Sequence, residues 1–74
     1  MNHSANRIGS HVTIPSCGVV NGLIIDQRDL DTELMVEVKC HKPTDQIGLY
    51  IISEWYRLPI VGGEIPEDYA TFTD

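Results

Sequence analysis

Basic residues and cysteines are scarce in this sequence, and no long hydrophobic run is present. Only five lysines and arginines stand against 11 acidic residues, which gives a formal net charge of −6. Because phosphate binding depends on Lys and Arg, this balance disfavours nucleic acid as a direct partner. The two cysteines, Cys17 and Cys40, can form one disulfide at most, which is too few for a disulfide scaffold.

No apolar stretch approaches the roughly 20 residues that a membrane-spanning helix requires. The opening residues, MNHSANR, are polar, and no cleavable apolar segment follows them. These features predict a cytoplasmic protein with reduced thiols and no membrane partner. A chain of 74 residues buries only about 60% of its unfolded surface, so oligomerisation is the expected source of additional stability.

The acidic excess is concentrated near the C-terminus. Residues 61–74 hold four acidic residues and no Lys or Arg, whereas residues 1–60 hold seven acidic and five basic residues. We therefore expect a flexible N-terminus over residues 1–8, one domain over residues 9–61 and a flexible acidic tail over residues 62–74. Three apolar residues of the tail remain available to dock elsewhere: Ile65, Tyr69 and Phe72.

Short alternating segments predict an all-β fold. The clearest is ELMVEVKC, whose residues on one face are Leu34, Val36, Val38 and Cys40. The pair Asn21-Gly22 between apolar residues predicts a two-residue hairpin turn. The segments HVTI, LII, QIGLYIIS and LPI supply four further strands, and EWYR is expected to form a single helical turn before the last one. Several short strands at this spacing, with turns that contain Gly and Pro, are typical of a small barrel or sandwich.

This arrangement resembles an SH3-like barrel, and over about residues 9–58 the chain is similar to the plasmid-borne type II dihydrofolate reductases. The residues shared with that family are Gly9, Val12, Ser16, Gly22, Ile24, Tyr50 and Arg57, the last two within IGLYIISEWYRL. The resemblance implies a five-stranded SH3-like barrel with a short helical turn before its last strand. It also makes an origin on a mobile element plausible.

The resemblance implies an enzymatic alternative as well. Four chains of that family surround a pore lined by a Val-Gln-Ile-Tyr segment, where Gln and the Ile backbone contact folate and nicotinamide. A Lys near the pore mouth attracts the charged ligands. Here the segment is Ile47-Gly48-Leu49-Tyr50, and Ile14 occupies the position of the Lys. The alternative is a diverged, NADPH-dependent reductase whose tetrameric pore is lined by Gly48, Leu49 and Tyr50.

Aromatic residues are the best candidates for a contact surface. Tyr50, Trp55 and Tyr56 lie within seven residues of one another, and SH3-like barrels bind peptides on aromatic grooves. We expect Trp55 to plug the end of the barrel, because so small a core needs its one Trp. Tyr50, Tyr56 and Met35, together with the acidic loop 26–33, then form the predicted contact surface.

Candidate catalytic and metal-ligating residues are not expected to act as such. The adjacent pair Cys40-His41 would point to opposite sides of a strand, and no Cys-x-x-Cys spacing is present. Cys17 lies in a predicted turn, without a base or an oxyanion site suggested by the sequence. The segment DQRDLDTE lacks the central Gly of a calcium loop. The sequence therefore predicts neither a metal site nor a catalytic residue.

The leading hypothesis is a non-enzymatic binding module without a cofactor, which binds a protein partner or itself as a dimer or tetramer. The reductase using NADPH is the alternative. A third hypothesis, suggested by the acidic tail, is an inhibitor that occupies the basic surface of a nucleic-acid-binding partner. The reductase requires a closed tetramer and NADPH binding, and the binding module requires neither. The binding of the inhibitor should weaken steeply as salt increases.

Overall fold

One antiparallel sheet makes up the fold. A computed structural model describes residues 6–44 and 48–73, with the backbone alone for residues 41–44 and 48–51. Its strands are β1 (His11–Ile14), β2 (Val19–Asp29), β3 (Glu33–Thr44), β4 (Gly48–Pro59) and β5 (Thr71–Thr73), in the sheet order β4-β3-β2-β1-β5. The all-β prediction is confirmed. Within the described ranges the only helical element is one 3-10 turn, Pro15–Cys17, and none is long and apolar enough to cross a membrane.

Alternation along β3 places the core on one face of the sheet. Leu34, Val36 and Val38 are fully buried, as their spacing predicted, and Cys40 is half-buried. Residues from the other strands and from the C-terminal segment complete the buried core: Val12, Ile14, Val19, Ile24, Leu58 and Ala70. Apolar residues at every second position of β3 therefore define the side on which the chain packs.

β2 changes its pairing register twice. The pairs Ile14↔Val19 and Val12↔Gly22 leave one extra residue on β2 opposite β1, and a second shift follows between Ile24 and Asp26 opposite β3. Such bulges bend and twist a strand, which lets the sheet curve around its core.

The prediction of a hairpin turn at Asn21-Gly22 is wrong. The chain turns instead through Pro15–Cys17, where Gly18 at φ 73° closes the turn with its N–H bonded to the Pro15 carbonyl. Asn21 adopts its positive φ of 52° inside β2, and its N–H donates to Thr13 Oγ1 at 3.1 Å. The tolerance of Asn for positive φ was recognised correctly, but it serves a bulge rather than a turn.

The segment EWYR does not form the expected helical turn, and LPI does not form a separate closing strand. β4 runs through both, with Trp55 paired to Glu37, Tyr56 to Val36 and Leu58 to Leu34. β3 offers an equally long partner, so each residue of EWYR gains ladder pairing that an isolated turn would forgo.

The last strand lies instead in the region predicted as a flexible tail. β5 pairs with β1 through Val12↔Phe72, and Ala70 is buried in the core. Ile65, Tyr69 and Phe72 pack against the core, as their availability for docking suggested. The acidic composition indicated a solvated tail, but the apolar residues between the acids supply enough surface to bury.

The β3–β4 hairpin is longer than the rest of the sheet. Pairing of β2 with β3 ends at Leu23↔Lys39, whereas pairing of β3 with β4 continues to Thr44↔Gly48. Twelve extended residues span about 40 Å, which agrees with principal extents of 47 × 21 × 20 Å. Beyond Lys39, the hairpin is therefore a ribbon of two strands.

We expect Gly22→Ala to lower the free energy of unfolding by about 1–3 kcal/mol. A Cβ at this position would overlap the Val38 side chain and approach Val19 Cγ1 to 3.0 Å. Urea unfolding measures the change, with Val20→Ala on the same strand as the control, because Val20 is 71% exposed. Equal stability of the two variants would contradict the close packing of β2 on β3.

We expect Phe72→Ala to cost about 1–3 kcal/mol, because Phe72 packs on the core and the Arg7 guanidinium lies 4.2 Å from its ring centroid. Thr73→Ala, on the exposed side of the same strand, should change stability by less than about 0.5 kcal/mol. Thermal unfolding compares the two. A Phe72→Ala variant as stable as the parent would mean that the C-terminal segment is not folded on the sheet.

Candidate interaction surface

The sheet face opposite the core carries most of the charged side chains of the central strands. Register partners on neighbouring strands share a face, so the ladders bring these residues together. We call this surface the outer face; its residues are Asp26, Arg28, Met35, Glu37, Lys39, Ser53, Trp55 and Arg57. It spans β2, β3 and β4 and ends at the edge of the sheet.

Trp55 lies on this outer face and not in the core. It is 38% exposed, and the Arg28 guanidinium carbon lies 5.5 Å from its ring centroid, a cation–π distance. The prediction that Trp55 plugs a barrel end is wrong. Because β4 is extended here, Trp55 shares the face of its partner Glu37, and the neighbouring Tyr56 takes the core side.

The outer face holds two acidic and three basic residues, so it does not share the acidic excess of the whole chain, whose net charge is −6. Arg57 Nε lies 3.7 Å from Glu33 Oε2, and the Ser53 hydroxyl donates to Glu37 Oε2 at 3.3 Å. Both contacts are solvent-exposed and add little to stability.

The predicted contact residues do not form one surface. Met35 lies on the outer face between Arg28 and Arg57, whereas Tyr56 lies on the core side opposite Val36. The two residues therefore belong to opposite faces of the hairpin.

The other predicted contact residues lie mostly at the far end of the hairpin. Gly48, Leu49 and Tyr50 belong to the β4 backbone and pair with residues 42–44, and their side chains lie outside the described residues. The segment predicted as an acidic loop over residues 26–33 is mostly strand. Its chain reversal is closed by the Leu30 N–H, which donates to the Glu33 carbonyl at 3.0 Å.

Tyr56 has the one clearly shifted pKa among the described groups. Its hydroxyl donates to Glu54 Oε1 at 3.1 Å. Burial raises the pKa of Tyr56 from 10.0 to about 12, helped by the hydrogen bond to Glu54 and by the negative charge of that carboxylate. This arrangement holds the phenol neutral and positions its ring over the edge of the core.

Sequence reasoning missed the pairing of Trp55 with Arg28, although a signal for it existed. Extending the alternation of the fourth strand past Ile52 would have placed Trp55 away from the core. In the part of the chain that the structure describes, no group of three or more His, Cys, Asp or Glu side chains could hold a metal ion. No protein-family model matches the chain, and no curated protein or solved structure does either.

We expect Tyr56 to stay protonated in the folded protein at a pH where it ionises in the unfolded chain. Between pH 10 and about 12 the native state then holds a proton that the unfolded state has lost, so stability falls as the pH rises through this window. The measurement is the free energy of unfolding as a function of pH, for the parent protein and for Tyr56→Phe. Tyr56→Phe should flatten the decline, and identical slopes would contradict the shift.

Proposed function

We propose that this protein is a small, cytoplasmic, non-enzymatic interaction module that self-associates and uses no cofactor. The observation that carries the proposal is the exposed Trp55 with Arg28 over its ring, on a face that does not share the acidic excess of the chain. Trp and Arg are among the residues most enriched at binding hot spots.

We propose an SH3-like barrel as the architecture of this module. The strand order, with β5 beside β1 at one end and β4 at the other, supports it. A hydrogen bond between the two ends of the strand order supports it as well. Tyr69, which lies just before β5, donates its hydroxyl to the Arg57 carbonyl of β4 at 3.2 Å. This bond draws the two ends of the sheet toward each other.

The position of Ile14 favours the binding module over the reductase. Ile14 occupies the place of the pore Lys in the type II dihydrofolate reductases, and here it is 0% exposed within the core. A reductase built on this chain would need another cation to draw the polyanion NADPH into an acidic assembly. Such a pore, lined by Gly48, Leu49 and Tyr50, remains the alternative proposal.

We expect the purified protein to self-associate, with a native mass that NADPH does not change. Static light scattering over a concentration series, with and without NADPH, measures this mass. Because each copy carries a net charge of −6, salt should strengthen the association by screening the repulsion between copies. A tetramer that gains mass with NADPH would support the reductase instead. A monomer that binds a basic protein, more weakly as salt increases, would support the acidic inhibitor.

We expect Trp55→Ala to raise the dissociation constant of the self-associated form by about tenfold or more, the effect of a hot-spot residue. Val61→Ala is the matched control, because Val61 is also an exposed apolar residue but lies beyond the end of β4, in a turn bridged to Glu64. Equal effects of the two substitutions would contradict a specific role for Trp55.

A further inference from the structure

β4 lies at one end of the strand order, so one side of its backbone has no neighbouring strand in the described sheet. Two hydrogen bonds fix which groups face that side. The Ile60 N–H donates to the Thr32 carbonyl, and the Leu30 N–H donates to the Glu33 carbonyl, both at 3.0 Å. Along an antiparallel pair, the N–H and C=O groups of successive residues point alternately toward the partner strand and away from it. Because Ile60 bonds to Thr32, the even-numbered residues of β4 bond to β3. The N–H and C=O of Ser53 and Trp55 therefore point away from the sheet.

Most of this edge lacks the features that normally prevent strand addition. Proteins protect edge strands with Lys, Pro or bulges, or by covering them. β4 pairs with β3 in an unbroken register from Gly48 to Pro59, and it contains no Lys and no Pro before its last residue. Its one cover in the described structure is the Tyr69 hydroxyl on the Arg57 carbonyl. Among the residues that the structure describes, none pairs with the edge from Gly48 to Trp55.

The other free edge of the hairpin is protected. Past Lys39, β3 no longer pairs with β2. The backbone N–H and C=O groups of its odd-numbered residues point to this unpaired side, and one of these residues is Pro43. Proline has no N–H to donate to a further strand. Of the two sides of the projecting ribbon, only β4 offers a regular series of donors and acceptors.

The projecting part of the hairpin also needs a neighbour. A ribbon of two strands is marginally stable in water, and a third strand is usually required. Beyond the pair Leu23↔Lys39, β3 and β4 pair only with each other within residues 6–44 and 48–73. A strand added along β4 would supply the missing pairing over the part of the hairpin that the rest of the sheet leaves unsupported.

We propose that the outer edge of β4, from Gly48 to Trp55, binds the same edge of a second copy by antiparallel strand addition. The inference rests on the proposed self-association and names the edge through which it occurs. Antiparallel pairing of a strand with its own copy obeys a two-fold axis, the commonest symmetry of dimers. Glu54 is the only charged residue of this stretch. Since two carboxylates directly opposite would repel, the axis lies away from Glu54.

The test compares Ser53→Pro with Ser53→Ala. Proline at this position removes an N–H that points away from β3 and has no neighbouring strand among the described residues, but that donates across the proposed interface; alanine keeps that N–H. At a concentration where the parent is a dimer by light scattering, Ser53→Ala should remain a dimer and Ser53→Pro should be a monomer. Circular dichroism verifies that each variant is folded.

A second variant covers the case in which Ser53→Pro fails to fold. Ser53→Lys keeps the backbone donor and adds a charged side chain to the edge, so the dissociation constant should rise by about tenfold or more. Because Lys lowers the net negative charge of each copy, general repulsion cannot account for such a loss.

The outcomes separate this inference from the proposed function. A folded Ser53→Pro variant that dimerises as tightly as the parent overturns the β4 edge, while self-association stands. If Ser53→Pro does not fold, an unweakened Ser53→Lys dimer overturns it equally. A parent protein that is monomeric up to about 1 mM overturns both proposals and assigns the open edge to an extended peptide of another protein.

Discussion

The sheet buries one of its faces, and the alternation of β3 determines which one. Leu34, Val36 and Val38 lie on the same side of a strand that is paired on both edges. The buried residues Ile24 of β2 and Leu58 of β4 share that side by register. The polar residues between them are thereby directed to the opposite face. The outer face with Trp55 is a direct consequence of where the core lies.

β2 satisfies this constraint only by changing register. It pairs with β1 at one end and with β3 along the rest, and its two bulges adjust the twist between them. Gly22 is required where β2 passes closely beneath Val38, and Asn21 tolerates the positive φ of the first bulge. Local backbone properties at two adjacent residues therefore allow the sheet to curve without losing its buried face.

The alternation of the central strands could be predicted from sequence, because it is a local property of each segment. The extent of β4 could not, since EWYR is compatible with a turn until the length of β3 is known. The docking of the C-terminal segment depends on Val12↔Phe72, a pair separated by about 60 residues, and the surrounding acidic residues hide it. The exposure of Trp55 follows from the extended course of β4. Because EWYR was predicted as a helical turn, Trp55 was also predicted wrongly to lie in the core.

The hairpin of β3 and β4 connects fold and proposed function. Its inner half belongs to the core, and its outer half leaves a series of backbone donors and acceptors beside the one exposed Trp of the described surface. Edge and outer face meet at Trp55, so one contact could use both. In the proposed dimer, strand addition would extend the sheet at this end.

The central claim is tested most directly by hydrogen exchange at single amides as a function of protein concentration. The N–H groups of Ser53 and Trp55 should exchange fast in dilute solution and become protected at high concentration. The N–H of Tyr56, which bonds to β3, should be protected in both and serves as the internal reference. If Ser53 and Trp55 exchange fast at every concentration while Tyr56 remains protected, no second copy binds along β4 and the account is contradicted.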